Sequence, residues 1–572
     1  MKNIFSFLVC CIVVLVFFYH RIYYSDIRSS EPLKLTTWDA LGYYLYLPAI
    51  VIYHDVKEMA WFPEIDKKYS VSGGWVYQYN KFKNGNCVFK YLGGLAIVEL
   101  PFFLIGHSAA KLLGYEQDGF SPPYQYAIGF GILILCMVSV FLLRHILLLY
   151  FTDRSTAIAI LLLMLASNCI QYIAIDNAQS HGPIFCLYVL ILYTTIKWHR
   201  EPSVIWAAAT GFLIGLAIIS RPTEAISFLI PLLWNTHTKE HAREKWQQVR
   251  KYKSHVGIAL LFGFLGVLPQ LIYWQYVTDF FIYDVGSAWD FLTPHLRVLF
   301  GGEKGWFIYT PVTLLFILGM FFIKKYPFRK AVIYFCLINI YIIISWRNWR
   351  YGGSYSTRAL VQSYPVFALA LGALVEKINQ NLWQRLALIG AGIFLIYMNL
   401  FQIRQYNNTI LHYDDMNYRY YSRIFLKNHP SPLDFSLMDN SDWIRNENKY
   451  LENQLLSIDS IWTICSKPDS AGQILNIKID NSDTREYWLK IEALIKPATG
   501  KFGSFLNTEL RQSNFIKLNR IRLYNPAGFY HKYAFYVQVP DLLKSSNLRM
   551  FVSSEETFSG TIEKITISTL TR

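Results

Sequence analysis

Charged side chains are scarce in this sequence: they make up 16% of its 572 residues, whereas 53% are hydrophobic. Soluble domains carry about 25% charged residues, so this composition excludes an ordinary set of soluble domains. Uninterrupted apolar stretches long enough to cross a bilayer core of roughly 30 Å recur between Ile4 and about Gln402. Helices satisfy the backbone polar groups of such stretches internally, so the sequence predicts a polytopic α-helical membrane protein.

Cysteine occurs only eight times, and the sequence contains neither a CxxC pair nor a Cys/His cluster. This absence argues against a structural zinc site. Only Cys87 and Cys465 are predicted on the aqueous side, and a disulfide between them stays open. The first apolar stretch is followed by YHRIYYSDIRSS, which has no small-residue cleavage pattern, so this stretch is predicted to remain as an anchor.

The net charge of +15 comes from basic residues spread over short loops, which favours membrane topology over nucleic-acid binding as its cause. Five basic loops are predicted on the cytoplasmic side: 144–154, 197–200, 236–255, 324–330 and 376–385. They share that side only if the segment from about Leu92 to Leu113 does not cross. We therefore predict about eleven spans, plus an interfacial or re-entrant segment where Glu99-Leu100-Pro101 interrupts the apolar pattern.

The middles of the predicted spans are nearly free of charge, and the conspicuous charged residues fall in the predicted outer loops. They are Asp39, Asp176, His181, Arg221, Glu224, Glu303, Lys304, Arg347, Arg350 and Arg358. Secondary transporters place their site near the bilayer midplane, on broken helices of internal repeats, and neither feature is evident in the sequence. The pattern therefore predicts a site at the outer face of the membrane.

Four motifs contribute most of these charges: WDALGYYLYLPAI from Trp38, SRPTEA from Ser220, FGGEKGWFIYTPV from Phe300 and WRNWRYGGSYSTRAL from Trp346. Simpler roles stay open for the first three, namely a helix cap, an Arg-Glu pair that anchors a helix end, and an interfacial turn. The fourth motif combines three arginines with a Gly-Gly turn, which is more than an interfacial anchor requires.

After about Leu411 the composition becomes polar, and short runs such as ILNIKID, YWLKIEALI and YAFYVQV indicate strands. The predicted organisation is a transmembrane domain at 1–410 with its first outer loop at 25–91, a periplasmic helical linker at 411–456 and a periplasmic β-rich domain at 457–572. The β-rich domain is predicted to be an antiparallel β-sandwich of about seven strands. An acceptor-binding role and a structural role both stay open for it.

Together these motifs resemble the C-type (GT-C) membrane glycosyltransferase superfamily, in particular bacterial relatives of protein O-mannosyltransferases and aminoarabinose transferases. The likeness covers roughly Trp38 to Pro365. This sequence departs from the family pattern in that its first outer loop has a single WD in place of a paired acidic motif. The resemblance implies a catalytic transmembrane domain that moves a sugar from a polyprenyl-phosphate carrier to an acceptor on the periplasmic face of the bacterial inner membrane. It also implies Asp39 as the catalytic carboxylate and Arg358 as a ligand of the carrier phosphate.

Such a transfer needs cations at the leaving phosphate and a base at the acceptor. The candidate phosphate ligands are Arg358, Lys304 and Arg221; the candidate catalytic carboxylates are Asp39 and Asp176; the candidate substrate-positioning residues are Trp38, Tyr43, His181, Glu224 and Trp349. Trp38 and Tyr43 are expected to desolvate Asp39. A divalent cation between Asp39 and Asp176 is left open as a cofactor, although no third oxygen-rich motif accompanies them.

Two other functions are compatible with the sequence. A flippase or transporter for lipid-linked sugars would share the apolar body and the cationic phosphate site, but would tolerate loss of the Asp39 charge. An O-antigen ligase or polymerase would concentrate its chemistry in one large outer loop late in the chain, which the early position of Asp39 disfavours. The sequence does not distinguish which sugar moves, or whether the acceptor is a lipid, a glycan or a protein.

Overall fold

The chain divides into two compact units, Met1–Arg404 and Gln405–Arg572. The structure is a computed structural model that describes residues 3–25, 33–414, 416–430, 434, 438, 442, 444, 447–467, 470–480, 486–498, 504–513, 515–523, 530–554 and 557–572. The regular elements of the first unit are mostly helices and those of the second mostly strands. The boundary between them lies close to the point at which the sequence turns from apolar to polar.

Helices are the main elements of the first unit. In chain order they are α1 Ile4–Ser25, α2 Trp38–Tyr44, α3 Tyr46–Val51, α4 Phe62–Tyr69, α5 Gly94–Leu113, α6 Pro122–Leu148, α7 Asp153–Leu165, α8 His181–Arg200, α9 Val204–Ser220, α10 Leu229–Leu233, α11 Lys239–Lys251, α12 Lys253–Thr278, α13 Arg297–Phe300, α14 Trp306–Tyr309, α15 Thr313–Gly319, α16 Arg329–Ser345, α17 Tyr364–Ile378 and α18 Leu382–Asn407. A π-helix forms at Ile170–Ile175, 3₁₀-helices form at Pro222–Phe228, Met320–Phe322 and Arg358–Ser363, and a hairpin pairs β1 Tyr79–Lys81 with β2 Cys87–Phe89. These short irregular helices adjoin or contain several of the candidate site residues, as π-helical and 3₁₀ segments often do.

Six helices among the described residues are long and apolar enough to cross a membrane. They are Ile4–Ser25, Gly94–Leu113, Pro122–Leu148, Lys253–Thr278, Arg358–Ile378 and Leu382–Asn407. Shorter apolar helices occur at Val204–Ser220, Pro222–Leu233 and Thr313–Phe322. The predicted total of about eleven spans exceeds the number of long helices, and it stays a prediction that requires shorter helices to cross as well.

The segment predicted to lie in the interface forms one continuous helix, α5. Pro101 lies inside this helix, so the interruption in the sequence pattern does not break the backbone path. A proline here removes one backbone hydrogen bond, which helices in membrane proteins tolerate when neighbouring groups compensate. By length and composition α5 is one of the six candidate spans, and its interfacial or re-entrant placement stays a prediction.

The helices α9 and α12 approach so closely that only glycine fits between them. A Cβ added at Gly211 would lie 1.9 Å from the carbonyl oxygen of Ala259, and one at Gly215 would lie 2.2 Å from that of Gly263. Real carbon contacts lie at roughly 3.5–4 Å, so no side chain can replace these hydrogens without moving a helix. This packing holds the end of α9, where the Arg221 turn begins.

The second unit contains two four-stranded antiparallel sheets. Its strands are β3 Leu451–Ser466, β4 Gly472–Asp480, β5 Tyr487–Pro497, β6 Ser504–Gln512, β7 Phe515–Arg522, β8 His531–Val539, β9 Ser545–Ser554 and β10 Phe558–Thr571, preceded by α19 Tyr418–Ile424. The strand orders are β3-β10-β5-β8 and β4-β9-β6-β7. Both sheets contribute to one hydrophobic cluster, which includes Ile491 and Ile565 from the first sheet and Leu506 and Leu548 from the second.

Period-two alternation accounts for most of these strands. In β5 every second residue from Leu489 to Ile495 is buried, as expected for a strand with one face on a core. Eight strands are described where about seven are predicted, because β6 buries the polar residues Asn507 and Thr508 and so hides its alternation. The strand β3 begins at Leu451, inside the predicted helical linker, and as an edge strand it leaves most of its residues exposed.

Cysteine labelling in intact cells tests the predicted orientation. In a Cys465→Ser background, a membrane-impermeant maleimide should label a cysteine placed at the exposed Lys83 and should not label one at the exposed Lys239, because basic loops stay in the cytoplasm. Cys465, which is exposed in the second unit, should be labelled in the parent protein if that unit is periplasmic. Labelling at 239 but not at 83 would reverse the orientation, and with it the side on which Asp39 lies.

Candidate active site

Asp39 lies in the first turn of α2 and receives three hydrogen bonds. Its Oδ1 accepts from the hydroxyls of Tyr77 at 2.8 Å and Tyr91 at 2.6 Å, and its Oδ2 accepts from Nη2 of Arg358 at 2.5 Å. The side chain of Asp39 is 28% exposed and that of Arg358 is 10% exposed. A carboxylate and a guanidinium from distant parts of the chain thus meet in a partly accessible position. This pair is the centre of the candidate site.

The surroundings hold Asp39 in its ionised form. Burial alone would raise the pKa of its carboxyl, but the charge of Arg358 and the hydrogen bonds from Tyr91 and Tyr77 outweigh burial and lower the pKa to about 2. A carboxylate with so low a pKa is a weak base at neutral pH. Asp39 would gain basicity if Arg358 were drawn to another anion.

Arg358 begins the 3₁₀-helix Arg358–Ser363, and two partners share its guanidinium. Nη1 donates to Oε1 of Gln179 at 2.8 Å, while Nη2 donates to Asp39. Gly352 lies beside it: a Cβ at this position would lie 3.4 Å from Nη2, and the φ of +65° also favours glycine. The Gly-Gly turn of the fourth motif therefore leaves room for the guanidinium.

A second hydrogen-bonded group surrounds Gln362, four residues beyond Arg358. Oε1 of Gln362 accepts from Nη1 of Arg221 at 3.2 Å and contacts Nδ1 of His181 at 2.9 Å. Its Nε2 donates to Oε1 of Glu224 at 2.5 Å. The structure thus brings three candidate residues, Arg221, Glu224 and His181, together through a glutamine that no motif indicates.

Asp176 follows the π-helix and lies in a turn that Arg21 holds. Arg21 is 1% exposed and donates from Nη1 to the carbonyl oxygen of Ile175 at 2.6 Å and to Oδ1 of Asn177 at 3.3 Å, the residues on either side of Asp176. The Asp176 carboxylate accepts from Nε2 of Gln171 at 2.8 Å. Burial raises the pKa of Asp176 even though this hydrogen bond and two arginine charges act to lower it. The two candidate carboxylates therefore have pKa values shifted in opposite directions, a pattern that separates chemical roles.

Lys304 is not placed as a freely accessible phosphate ligand. Its ammonium is buried and donates to the carbonyl oxygens of Arg350, at 3.0 Å, and of Gly352. The hydroxyl of Thr357 donates in turn to the carbonyl oxygen of Lys304 at 3.1 Å. Lys304 therefore fixes the loop that carries Gly352 and leads into Arg358.

The aromatic candidates differ in their relation to Asp39. Tyr43 is buried, and its ring centroid lies 4.7 Å from that of Tyr91, so it supports one of the groups that donate to Asp39. Trp38 is 55% exposed, and its ring packs on Gly73, where a Cβ would lie 2.4 Å from it. Asp39 is therefore covered by Tyr77 and Tyr91, which donate to it, and not by Trp38 as expected.

Trp349, the remaining aromatic candidate, belongs to a different set of contacts. The guanidinium carbons of Arg297 and Arg350 lie 4.6 Å and 5.3 Å from the centre of its ring. Within the described part of the chain, no hydrogen bond joins Trp349 to Asp39 or Arg358. Its role in substrate positioning therefore stays a prediction that no hydrogen bond to Asp39 or Arg358 supports in the described residues.

The described carboxylates do not form a ready-made site for a divalent cation. The two oxygens of Asp39 already accept from three donors, and Asp176 accepts from Gln171. A cation between the two carboxylates would have to displace Arg358 from Asp39. Among the residues that the structure describes, no group of three or more His, Cys, Asp or Glu side chains is placed to hold a metal ion. We therefore assign no step to a metal.

Several residues of the site escape sequence reasoning: Arg21, Tyr77, Tyr91, Gln179 and Gln362. The tyrosines and glutamines are common in outer loops and helix ends, and only the folded chain brings them to Asp39, Arg358 or Glu224. Of these five residues, only Arg21 could have been singled out from the sequence, because an arginine within an apolar helix is costly and therefore suggests a function.

Comparison with known proteins finds similarity only at the level of solved structures. No protein-family model matches the chain, and no curated protein matches it. ArnT from Cupriavidus metallidurans in the apo state has 12% identity, over 64% of this chain and 58% of that one, with a TM-score of 0.38. The arabinosyltransferase EmbB from Mycobacterium smegmatis has 9% identity, over 97% and 64%, with a TM-score of 0.37. The oligosaccharyltransferase AglB from Archaeoglobus fulgidus, in complex with an inhibitory peptide and a dolichol-phosphate, has 13% identity, over 75% and 58%, with a TM-score of 0.40.

Two of the three are named as sugar-transferring enzymes, an arabinosyltransferase and an oligosaccharyltransferase. The present chain spans about 58–64% of their lengths. At TM-scores of 0.40 or less the similarity is too distant to transfer an activity, a substrate or a residue role. Such assignments rest on the residues of this chain.

A double-mutant cycle tests whether Asp39 and Arg358 form a stabilising pair. Asp39→Asn and Arg358→Gln should each lower the thermal unfolding midpoint of the purified protein, and the double variant should lose less than the sum, because each single change removes one partner of the pair. Groups in direct contact couple by roughly 0.5–3 kcal/mol. The pair of Asp290 and the exposed Arg347, at 3.0 Å, is the control and should be close to additive. Additive losses at Asp39 and Arg358 would contradict the pairing.

Proposed function

We propose that the protein is a C-type glycosyltransferase, which moves a hexosyl or pentosyl group from a polyprenyl-phosphate donor to an acceptor on the periplasmic face of the bacterial cytoplasmic membrane. The observation that carries this proposal is the contact between Asp39 and Arg358, in which a carboxylate and a guanidinium meet beside a candidate span. Sugar transfer from a phosphate carrier needs one group of each sign, a base for the acceptor and a cation for the leaving phosphate.

The transfer forms one bond and breaks one. An oxygen or nitrogen of the acceptor attacks the anomeric carbon of the sugar, the bond from that carbon to the phosphate oxygen breaks, and the electron pair leaves with the polyprenyl phosphate. The acceptor proton passes to a carboxylate, for which we assign Asp39. A monophosphate is stable as an anion, so cationic stabilisation matters more here than protonation of the leaving group.

Arg358 binds the donor phosphate in this proposal, and in doing so it releases Asp39. Its guanidinium contacts Asp39 and Gln179, and the planar fork has further N–H groups for phosphate oxygens. As the phosphate neutralises the guanidinium, the pKa of Asp39 should rise from about 2, and the carboxylate becomes a better base. The bound donor would thus activate the base for its own transfer.

The remaining candidates take supporting roles. Asp176 holds the acceptor hydroxyl or amine, and the group around Gln362 orients the sugar through His181, Arg221 and Glu224. Lys304 acts through the loop that it fixes, because its ammonium is already bonded to two carbonyl oxygens. Tyr43 acts through Tyr91, whose hydroxyl donates to Asp39, and the exposed Trp38 is available to contact a substrate beside Asp39.

The proposed placement in the membrane rests on the basic loops. About eleven spans put Asp39, Asp176 and Arg358 on the periplasmic side, together with the β-rich unit, which then serves as an accessory domain that could recognise the acceptor. A lipid, a glycan and a protein are all chemically possible acceptors, since each offers a hydroxyl or an amine near the membrane surface.

Transfer assays with separate measurement of donor binding test the proposal. Asp39→Asn should lower turnover by roughly 10²-fold or more, because the amide cannot accept a proton. Its donor affinity should be retained or increased, since Arg358 loses a competing anion. Arg358→Ala should weaken donor binding more than Arg358→Lys does. Asp290→Asn, at a carboxylate of another outer loop, is the control. Near-normal transfer by a well-expressed Asp39→Asn protein would instead favour the transporter hypothesis.

A pH profile tests whether Arg21 positions Asp176. In this proposal Asp176 accepts a hydrogen bond from the acceptor as an ionised carboxylate, so activity should be present above its raised pKa and be lost as the pH falls through it. Arg21→Gln removes a charge that lowers the pKa of Asp176 and should move this acidic limb to higher pH, whereas Arg21→Lys should move it less. Arg144→Gln, which removes hydrogen bonds to Ser6 and Asn3 at the other end of α1, should reduce stability without moving the limb. An unmoved limb in Arg21→Gln would contradict the role.

A further inference from the structure

The outer loop after α12 and the outer loop after α16 are joined into one surface. The backbone N–H of Asp290 donates to the carbonyl oxygen of Ser345 at 2.6 Å, and that of Arg347 donates to the carbonyl oxygen of Ala288 at 3.0 Å. The side chains of Arg347 and Asp290 also meet across the two loops, at 3.0 Å. The surface is therefore built by contacts from both loops.

Two arginines stack on one tryptophan in this surface. The guanidinium carbons of Arg297 and Arg350 lie 4.6 Å and 5.3 Å from the centre of the Trp349 ring, and both arginines are exposed. In the described residues no carboxylate lies within salt-bridge distance of either guanidinium, because the nearby Asp290 pairs with Arg347 and a histidine. Two unpaired cations held on one indole can bind an anionic group.

Exposed hydrophobic side chains lie in the same loop as Arg297. Phe280, Phe281 and Ile282, which follow the end of α12, are 60%, 63% and 79% exposed, and Leu292 is 98% exposed. Exposed groups of large apolar residues mark contacts with proteins or membranes. Because α12 is a candidate span, the residues directly after it emerge at a membrane surface. The apolar side chains are thus continuous with the membrane-facing part of the chain.

We propose that Arg297, Trp349 and Arg350, together with Phe280, Phe281 and Leu292, form a surface that binds anionic phospholipids of the adjacent leaflet. The guanidinium groups contact the lipid phosphate, the indole lies at the level of the head groups, and the apolar side chains enter the acyl boundary. This inference goes beyond the proposed transfer reaction, because it concerns how the outer loops are held on the membrane.

A bulk phospholipid fits this surface better than the sugar donor does. Arg297 and Arg350 are exposed, whereas Arg358, the ligand assigned to the donor phosphate, is buried beside Asp39. The carbonyl oxygen of Arg350 accepts from Lys304, which fixes the loop leading to Arg358. Lipid binding at this surface should therefore also steady the active-site loop.

Thermal stability in defined lipids tests the proposal. The unfolding midpoint of the purified full chain should rise more with phosphatidylglycerol than with phosphatidylcholine. The variant Arg297→Gln/Arg350→Gln should lose at least half of this difference, because both cations are gone. The control variant Lys67→Gln/Lys83→Gln removes two exposed lysines of the first outer loop and should keep the difference. Equal differences in the parent protein and the arginine variant would overturn the proposal.

A probe at Leu292 gives an independent readout. An environment-sensitive fluorophore on Leu292→Cys, in a Cys465→Ser background, should shift to shorter wavelength in phosphatidylglycerol vesicles and be quenched by lipid-chain quenchers. A probe that stays in water would contradict membrane contact. Polyprenyl phosphate that displaces phosphatidylglycerol at equal concentration, with the same dependence on Arg297 and Arg350, would assign the surface to the donor and overturn the proposal as well.

Discussion

The ion pair between Asp39 and Arg358 is the interaction on which the rest of the site depends. It joins the segment after α1 to the start of a candidate span 319 residues later in the sequence. Each side chain is largely buried, so each would be costly without the other. The neighbouring contacts converge on this pair: Tyr77 and Tyr91 donate to the carboxylate, and Gln179 accepts from the guanidinium. Three segments of the chain are thereby held at one point.

Several motif residues support the pair of Asp39 and Arg358 through the loop that precedes Arg358. Lys304 bonds to the carbonyl oxygens of the glycine-rich loop, and Gly352 leaves space beside the guanidinium. A charged residue of a motif is therefore not always a ligand, because a buried ammonium can instead fix the backbone of a neighbouring loop. The low pKa of Asp39 follows from the same arrangement, so the basicity of this carboxylate depends on what Arg358 contacts.

The sequence predicts the two charged residues of the pair better than it predicts the residues that contact them. Asp39 and Arg358 stand out because charges beside apolar spans are rare, whereas Tyr91 and Gln362 look ordinary until the fold brings them into contact. The apolar alternation of β5 predicts that strand, whereas the buried polar residues of β6 obscure the alternation there. The proline in α5 suggests a break in the helix, but the helix is continuous. Contacts between distant segments are set by packing, which a periodic pattern does not encode.

The most direct test of the account is a structure of the wild-type protein with a polyprenyl-phosphate sugar bound. We expect phosphate oxygens within hydrogen-bond distance of the Arg358 guanidinium and the anomeric carbon on the side of Asp39. The contact between Asp39 and Arg358 should be broken or longer than 2.5 Å. A phosphate bound elsewhere, with the Asp39 and Arg358 contact unchanged, would contradict the claim that the donor and the catalytic carboxylate share one arginine.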